Sequence, residues 1–275
     1  TSFTGEDSLD ISLDAGNSGG AGIAEFDGNA TASDTLVVDG VSYTFPLGDK
    51  TTVMVGDNTD GSALFSTACV YGGPSNTLDD CGNVNAGITN GGAMLGASYD
   101  FGTGFTAAVG YAGTESSVMT EEGTDAWGAN VAYTGDNYGV SLTYGTTEAT
   151  TGTPATNTGE EDSYTALNGY YTPEGFPSIS AGYEVGDIGG AVDAVDENIS
   201  FFVGLTWEEV GPGSAGIALG HSTREGSDEE YMYEAYYSYP MNDGMTVTPL
   251  VFIKENATVG KDDTTGVMVK TSFSF

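Results

Sequence analysis

Apolar residues recur at every second position through almost the whole chain, and that period admits strands and little else. At the C-terminal end Val267, Val269, Thr271, Phe273 and Phe275 alternate with Gly266, Met268, Lys270, Ser272 and Ser274. Successive side chains of a strand point to opposite faces, so such a run has one apolar and one polar side. The pattern returns at Leu9, Ile11, Leu13 and Ala15, at Val41, Tyr43, Phe45 and Leu47, and at Trp127, Ala129, Val131 and Tyr133. Fourteen runs are counted in this way, with no helical stretch and no composition break to mark a second domain.

The connections alternate as well. Gly48-Asp49-Lys50, Gly102-Thr103-Gly104, Gly135-Asp136-Asn137, Pro173-Glu174-Gly175, Gly211-Pro212-Gly213 and Asn242-Asp243-Gly244 follow the even-numbered runs. These are hairpin-turn sequences. Long polar segments follow the odd-numbered runs, among them 17–34, 57–91, 113–124, 147–162 and 185–197. One edge of the sheet is therefore tight and the other loopy, with both chain ends on the tight edge. The expectation is an all-β fold: a single transmembrane antiparallel β-barrel over residues 1–275, with short periplasmic turns and long outer loops. Residues 17–34 or 57–91 leave room for one more hairpin, which would make sixteen strands.

The two faces decide what surrounds the sheet. Tyr99, Phe101, Phe105, Tyr133, Tyr138, Tyr183, Trp207, Tyr237 and Tyr239 stand near strand ends on the apolar face, with aliphatic residues between. Aromatic girdles about an aliphatic band belong to a barrel crossing a bilayer. The intervening face carries Asp10, Asp14, Asp100, Asn130, Ser141, Asn168, Ser178, Ser180, Thr206 and Glu234. A soluble sandwich also alternates, but would rarely keep one connection asymmetry over so many strands. Closing the last strand on the first would satisfy every backbone group at membrane depth. No apolar run reaches the roughly 18–20 residues of a spanning helix. The chain opens on Thr1 with no leader pattern, as expected of a mature or trimmed chain.

Charge narrows the function. Forty acids against five bases give a net charge of −35. That excludes nucleic-acid binding, which needs clustered Lys and Arg. Cys69 and Cys81 are the only cysteines, and their spacing fits neither a zinc site nor a CxxC motif. A disulfide clipping a loop is expected, in an oxidising compartment.

The opening TSFTGEDSLDISLDAGN, the hairpin YTFPLGDK, the stretch GMTVTPLVFI and the ending TSFSF resemble the cyanobacterial outer-membrane porins of the Som type, distant relatives of carbohydrate-selective porins. The resemblance runs along the whole chain in strand order. It implies homotrimers in the outer membrane, a loop folded into the lumen, and passive diffusion of ions and small hydrophilic solutes. It also implies an N-terminal S-layer-homology domain, which these 275 residues do not contain. The chain departs from the family at Glu6-Asp7, where relatives carry a basic residue, so pore selectivity does not carry over from them.

A diffusion pore needs a wet lumen, a constriction and charges of chosen sign. On the inward parity Asp10, Asp14, Glu234, Lys254 and Lys270 are the expected charged lining, with Lys270 placed to meet an Asp of the first strand. Segment 57–91 is the expected constriction loop, carrying Asp57, Asp60, Asp79, Asp80 and the cysteine pair. The alternative for it is a lid over the mouth. A negative lumen focuses cations and excludes multivalent anions. Acids in the outer loops would be solvated or would repel anionic lipopolysaccharide. No cofactor is expected. Asp57-Asn58-Thr59-Asp60-Gly61 offers oxygen ligands of the kind Ca²⁺ takes, but turn chemistry accounts for it. No enzyme is expected: His221 is the sole histidine, beside Ser222, and neither GxSxG nor HExxH occurs. The other function class is a plugged receptor or adhesin, which would bind through its outer loops and conduct little.

Overall fold

The computed structural model describes residues 2–15, 35–74, 78, 80–88, 92–114, 118–120, 124–151, 156–189, 197–224, 230–256 and 261–274. Each run expected from the alternation is a strand. They are β1 (Ser8–Asp14), β2 (Val37–Pro46), β3 (Thr51–Asp57), β4 (Ala93–Asp100), β5 (Phe105–Gly113), β6 (Asp125–Thr134) and β7 (Tyr138–Thr151). There follow β8 (Thr156–Tyr171), β9 (Ser178–Asp187), β10 (Glu197–Val210), β11 (Gly213–Arg224), β12 (Tyr231–Asn242), β13 (Met245–Lys254) and β14 (Thr264–Phe273). All lie in one 14-stranded sheet in sequence order. Every neighbouring pair is antiparallel, as short hairpins require.

Two boundaries differ from the expectation. Segment 147–162 is not a long loop: β7 and β8 run on through it, pairing Thr147 with Asp162, Glu148 with Glu161, and Thr151 with Thr156. Threonine is β-branched and suits a strand without any apolar alternation. Above the bilayer no face needs to be apolar, so the hydrophobic pattern ends before the hairpin does. The extra hairpin for which 57–91 left room is not formed among its described residues. Segment 17–34 lies outside the described residues.

Burial runs opposite to that of a soluble protein. Leu95, Val109, Val131, Leu142, Leu167 and Val203 are exposed on one face, while Asn130, Ser141, Thr143, Asn168, Ser180 and Ser200 are buried on the other. An exposed apolar band on this scale requires a surrounding that is not water. On β6 the outward Trp127 and Tyr133 bracket Ala129 and Val131, roughly 20 Å apart along the strand. Tyr99 packs on Phe101, and Tyr133 lies between Phe105 and Tyr138, at the tight edge. Trp127 packs on Tyr144 at the loopy edge. These are two aromatic girdles. The tight turns use glycine where the backbone requires it: Gly102 and Gly104 sit at φ 80° and 83°.

The sheet curls around segment 57–91. The backbone N–H of Val70 donates to Ser180 Oγ on β9, while the hydroxyl of its neighbour Tyr71 donates to Glu234 on β12. On a flat sheet those strands lie roughly 14 Å apart. β1 and β14 are the two ends of the sheet, and no ladder joins them among the described residues. The expected pairing of the last strand on the first is not seen among those residues. β1 has 7 residues and a register shift at Ser12/Leu13, and a short bulged edge is a poor template for pairing.

Candidate pore and its inner loop

Segment 57–91 leaves β3 and at once turns inward. Asn58 takes φ 53°, its N–H bonds the carbonyl of Gly92, and its side-chain amide donates to the carbonyl of Asp39. The Asp57–Gly61 stretch is thus a turn, with Asp57 and Asp60 exposed. Among the described residues no three of His, Cys, Asp and Glu gather into a metal-holding group.

From there the chain crosses the inner wall in an extended stretch. The N–H groups of Ser66, Ala68 and Val70 donate to Asn130 Oδ1 (2.9 Å), Ser141 Oγ (2.8 Å) and Ser180 Oγ (3.0 Å). Alternate N–H groups of an extended chain point the same way, and here they find polar side chains on β6, β7 and β9 in turn. Tyr71 then sets the far end. Its ring packs against Phe202 and Tyr236, and its hydroxyl donates to Glu234 Oε1 at 2.8 Å. Burial, reinforced by the Glu234 carboxylate, pushes the Tyr71 phenol well above the ordinary tyrosine range. Beyond it, Lys270 Nζ on β14 donates to the carbonyl of Pro74 at 3.4 Å.

The return limb is held more tightly still. Glu184, 1% exposed on β9, accepts the N–H groups of Asn85 and Ala86 at 2.8 Å each and the Asn85 amide at 2.7 Å. Asn168 on β8 donates to the carbonyl of Cys81 at 2.7 Å. Cys69 and Cys81 form a disulfide that ties the two limbs together. Where the loop backbone comes closest, the wall has no side chain. The carbonyls of Gly61, Ala86 and Cys81 rest on Gly110, Gly145 and Gly182, in places a Cβ would occupy.

The loop also gives the interior an apolar filling. Tyr71, Leu78 and Cys81 cluster with Phe202, Tyr236, Leu250 and Phe252. Ile88 joins Met54, Met94, Ala112 and Ala126 in a second cluster. On the tight-turn side lies a polar cavity of about 480 Å³ between residues 70–74 and the wall of β10–β14.

The expected lining residues are distributed unevenly about this arrangement. Glu234 is 3% exposed and engaged by Tyr71. Lys270 is exposed and lines the cavity, bonded to Pro74 instead of to an Asp of β1. Asp10 is exposed on β1, accepting the Ser8 hydroxyl at 2.6 Å, and Asp14 is half-buried. Lys254, half-buried, stands opposite Met232 and Thr264 near the loopy edge. Asp80 is exposed, and Asp79 lies outside the described residues. Glu184 was not singled out, although its inward parity with Ser178 and Ser180 on β9 could have found it. His221 is packed between Phe201 and Tyr231 in an aromatic cluster.

Solved structures share this architecture. OprB of Pseudomonas putida aligns with a TM-score of 0.62 at 14% identity, over 88% of this chain and 74% of that one. OmpT of Vibrio cholerae lacking its loop L8 gives 0.61 at 15%, over 88% and 82%. The anion-selective porin of Comamonas acidovorans gives 0.60 at 13%, over 98% of this chain and all of that one (100%). Identities this low speak to fold alone. No curated protein matches the sequence. The family profile of the Gram-negative porins matches residues 4–266, nearly the whole strand array. An outward apolar band with girdles, a polar inner wall and a loop laid across it agree with that match: the chain is an outer-membrane porin and belongs to the Gram-negative porin family.

Proposed function

We propose that segment 57–91 is the constriction of a passive diffusion channel for small hydrophilic solutes and ions, and that the channel prefers cations. The observation carrying this is the loop itself, bonded to the inner faces of β6, β7, β8, β9 and β12 at a fixed depth. A disulfide-tied loop suits a bore of fixed width. The preference for cations rests on the net charge of −35 and on the exposed acids Asp10, Asp57, Asp60 and Asp80. The fold does not set the sign of selectivity, since a structural neighbour is an anion-selective porin. The kinship with the Som type and the homotrimer rest on the motifs TSFTGEDSLDISLDAGN, YTFPLGDK and TSFSF.

The test is the reversal potential of the purified protein in a planar bilayer under a KCl gradient. A stable conductance with a cation-selective potential is expected, weakened by Asp10→Asn with Asp14→Asn. An anion preference would remove the charge argument and leave the channel. Silence from well-folded protein would favour the receptor or adhesin reading, which the apolar packing of Tyr71 and Leu78 inside the barrel also suits.

A further inference from the structure

The cavity beneath the loop tip holds a combination of groups that the acidity of the chain does not foretell. One of only five bases, Lys270, lines it together with a single acid, Glu208. Among the described residues no carboxylate bonds Lys270, which donates to the carbonyl of Pro74 at 3.4 Å. Glu208 is exposed and has no cationic partner among the described residues. Around them stand hydroxyls, Thr206, Ser238 and Thr248 among them, and the ring of Tyr236. Thr206 is 5% exposed, with its hydroxyl within reach of the Tyr236 hydroxyl.

An ammonium and a carboxylate in one cavity, unpaired with each other, set a condition on any occupant. An anion meets Lys270 but is repelled by Glu208. A cation meets the reverse. An uncharged polyol reaches the hydroxyls and leaves both charges unanswered. A solute carrying both signs with no net charge answers both. The volume, about 480 Å³, lies in the range of sites that hold small molecules.

We propose that this cavity is a weak, saturable subsite for small zwitterionic solutes on the permeation path, the carboxylate taken by Lys270 and the ammonium by Glu208. The inference rests on the channel reading above and adds a substrate class to it. Such a subsite raises the flux of net-neutral solutes through a pore whose overall field favours cations. Binding is weak because both charges keep contact with water.

The experiment is the KCl current of single channels titrated with L-alanine, with lactate and glycerol as probes of one charge and of none. The expected result is a saturable reduction of current by L-alanine at concentrations where lactate and glycerol have little effect. Lys270→Met and Glu208→Gln should each raise the half-blocking concentration about tenfold, as loss of one charged hydrogen-bonding partner does. Lys270→Arg should restore it. Equal reduction by all three probes, or a linear dependence without saturation, overturns the subsite while leaving the porin intact. Unchanged block in both Lys270→Met and Glu208→Gln channels overturns it as well. Absence of any conductance in folded wild-type protein overturns the channel reading and the subsite with it.

Discussion

The carbonyl oxygen of Cys81 rests on Gly182, in space that any side chain on β9 would take. The loop lies flat there because the wall is bare. Gly182→Val therefore lifts the return limb and breaks the Asn168–Cys81 bond, while the sheet keeps its hydrogen bonds. Larger and noisier single-channel conductance is expected, with the heat-modifiable mobility of the folded barrel retained. Unaltered conductance would show that the loop does not gate the bore.

Tyr71 and Glu234 anchor the loop on β12. Tyr71→Phe removes one charge-assisted bond and leaves Glu234 buried without that donor, at a cost of about 2 kcal/mol. Because the folded state raises the phenol above its unfolded value near 10, this contribution is complete below about pH 10 and declines as pH rises beyond it. Wild-type conductance should hold through neutral pH and loosen only in strong alkali. Tyr71→Phe should lack that alkaline step.

The disulfide spans 12 positions of the loop. Closing a ring of that size restricts the free loop by about 3 kcal/mol in the chain-entropy account. Cys69→Ser with Cys81→Ser, or reduction by a dithiol, should widen the distribution of conductance states without unfolding the barrel. Circular dichroism and current histograms on one preparation separate the two effects.

Asp7 stands just before β1 and is buried by a turn of its own making. Its carboxylate accepts the Ser2 and Thr4 hydroxyls at 2.7 Å, the N–H groups of Phe3 and Thr4, and the Tyr43 hydroxyl at 2.7 Å. Burial alone would raise its pKa. The hydrogen bonds from Thr4, Ser2 and Tyr43 outweigh that and hold it well below the ordinary carboxylate range. The stabilisation is present above pH 4 or so, the usual carboxylate value, and fades as pH falls further into acid. Asp7→Asn should free the N-terminal turn at neutral pH, seen as faster amide exchange at Phe3 and Thr4. Equal protection in both proteins would discount the turn.

The strands were legible because lipid on one side and polar lining on the other impose a period of two at every crossing. Legibility stopped where that boundary condition stopped. The Thr-rich ends of β7 and β8 stand clear of the bilayer, so their sequence records no face. Of the site, the cysteines marked a tied loop, and parity put Glu234 and Lys270 on the polar face of their strands. Parity says nothing of what covers an inward residue. Asn130, Ser141 and Ser180 read simply as polar lining and Glu184 was not singled out, yet each bonds the loop backbone. Those contacts join positions 64 to 110 residues apart, a range no local pattern reports. Gly110, Gly145 and Gly182 looked like ordinary strand glycines until the loop lay on them.

The loop emerges after β3, yet its anchors lie on strands synthesised much later, up to Lys270, which is 196 positions beyond Pro74. The loop's last two anchors, on β12 and β14, cannot form before the C-terminal hairpins are in place. Contacts this distant form late because chain closure must precede them. A nascent or truncated barrel would accordingly be leakier than the finished one, and the completion of β12–β14 would be the step that narrows the hole in the membrane.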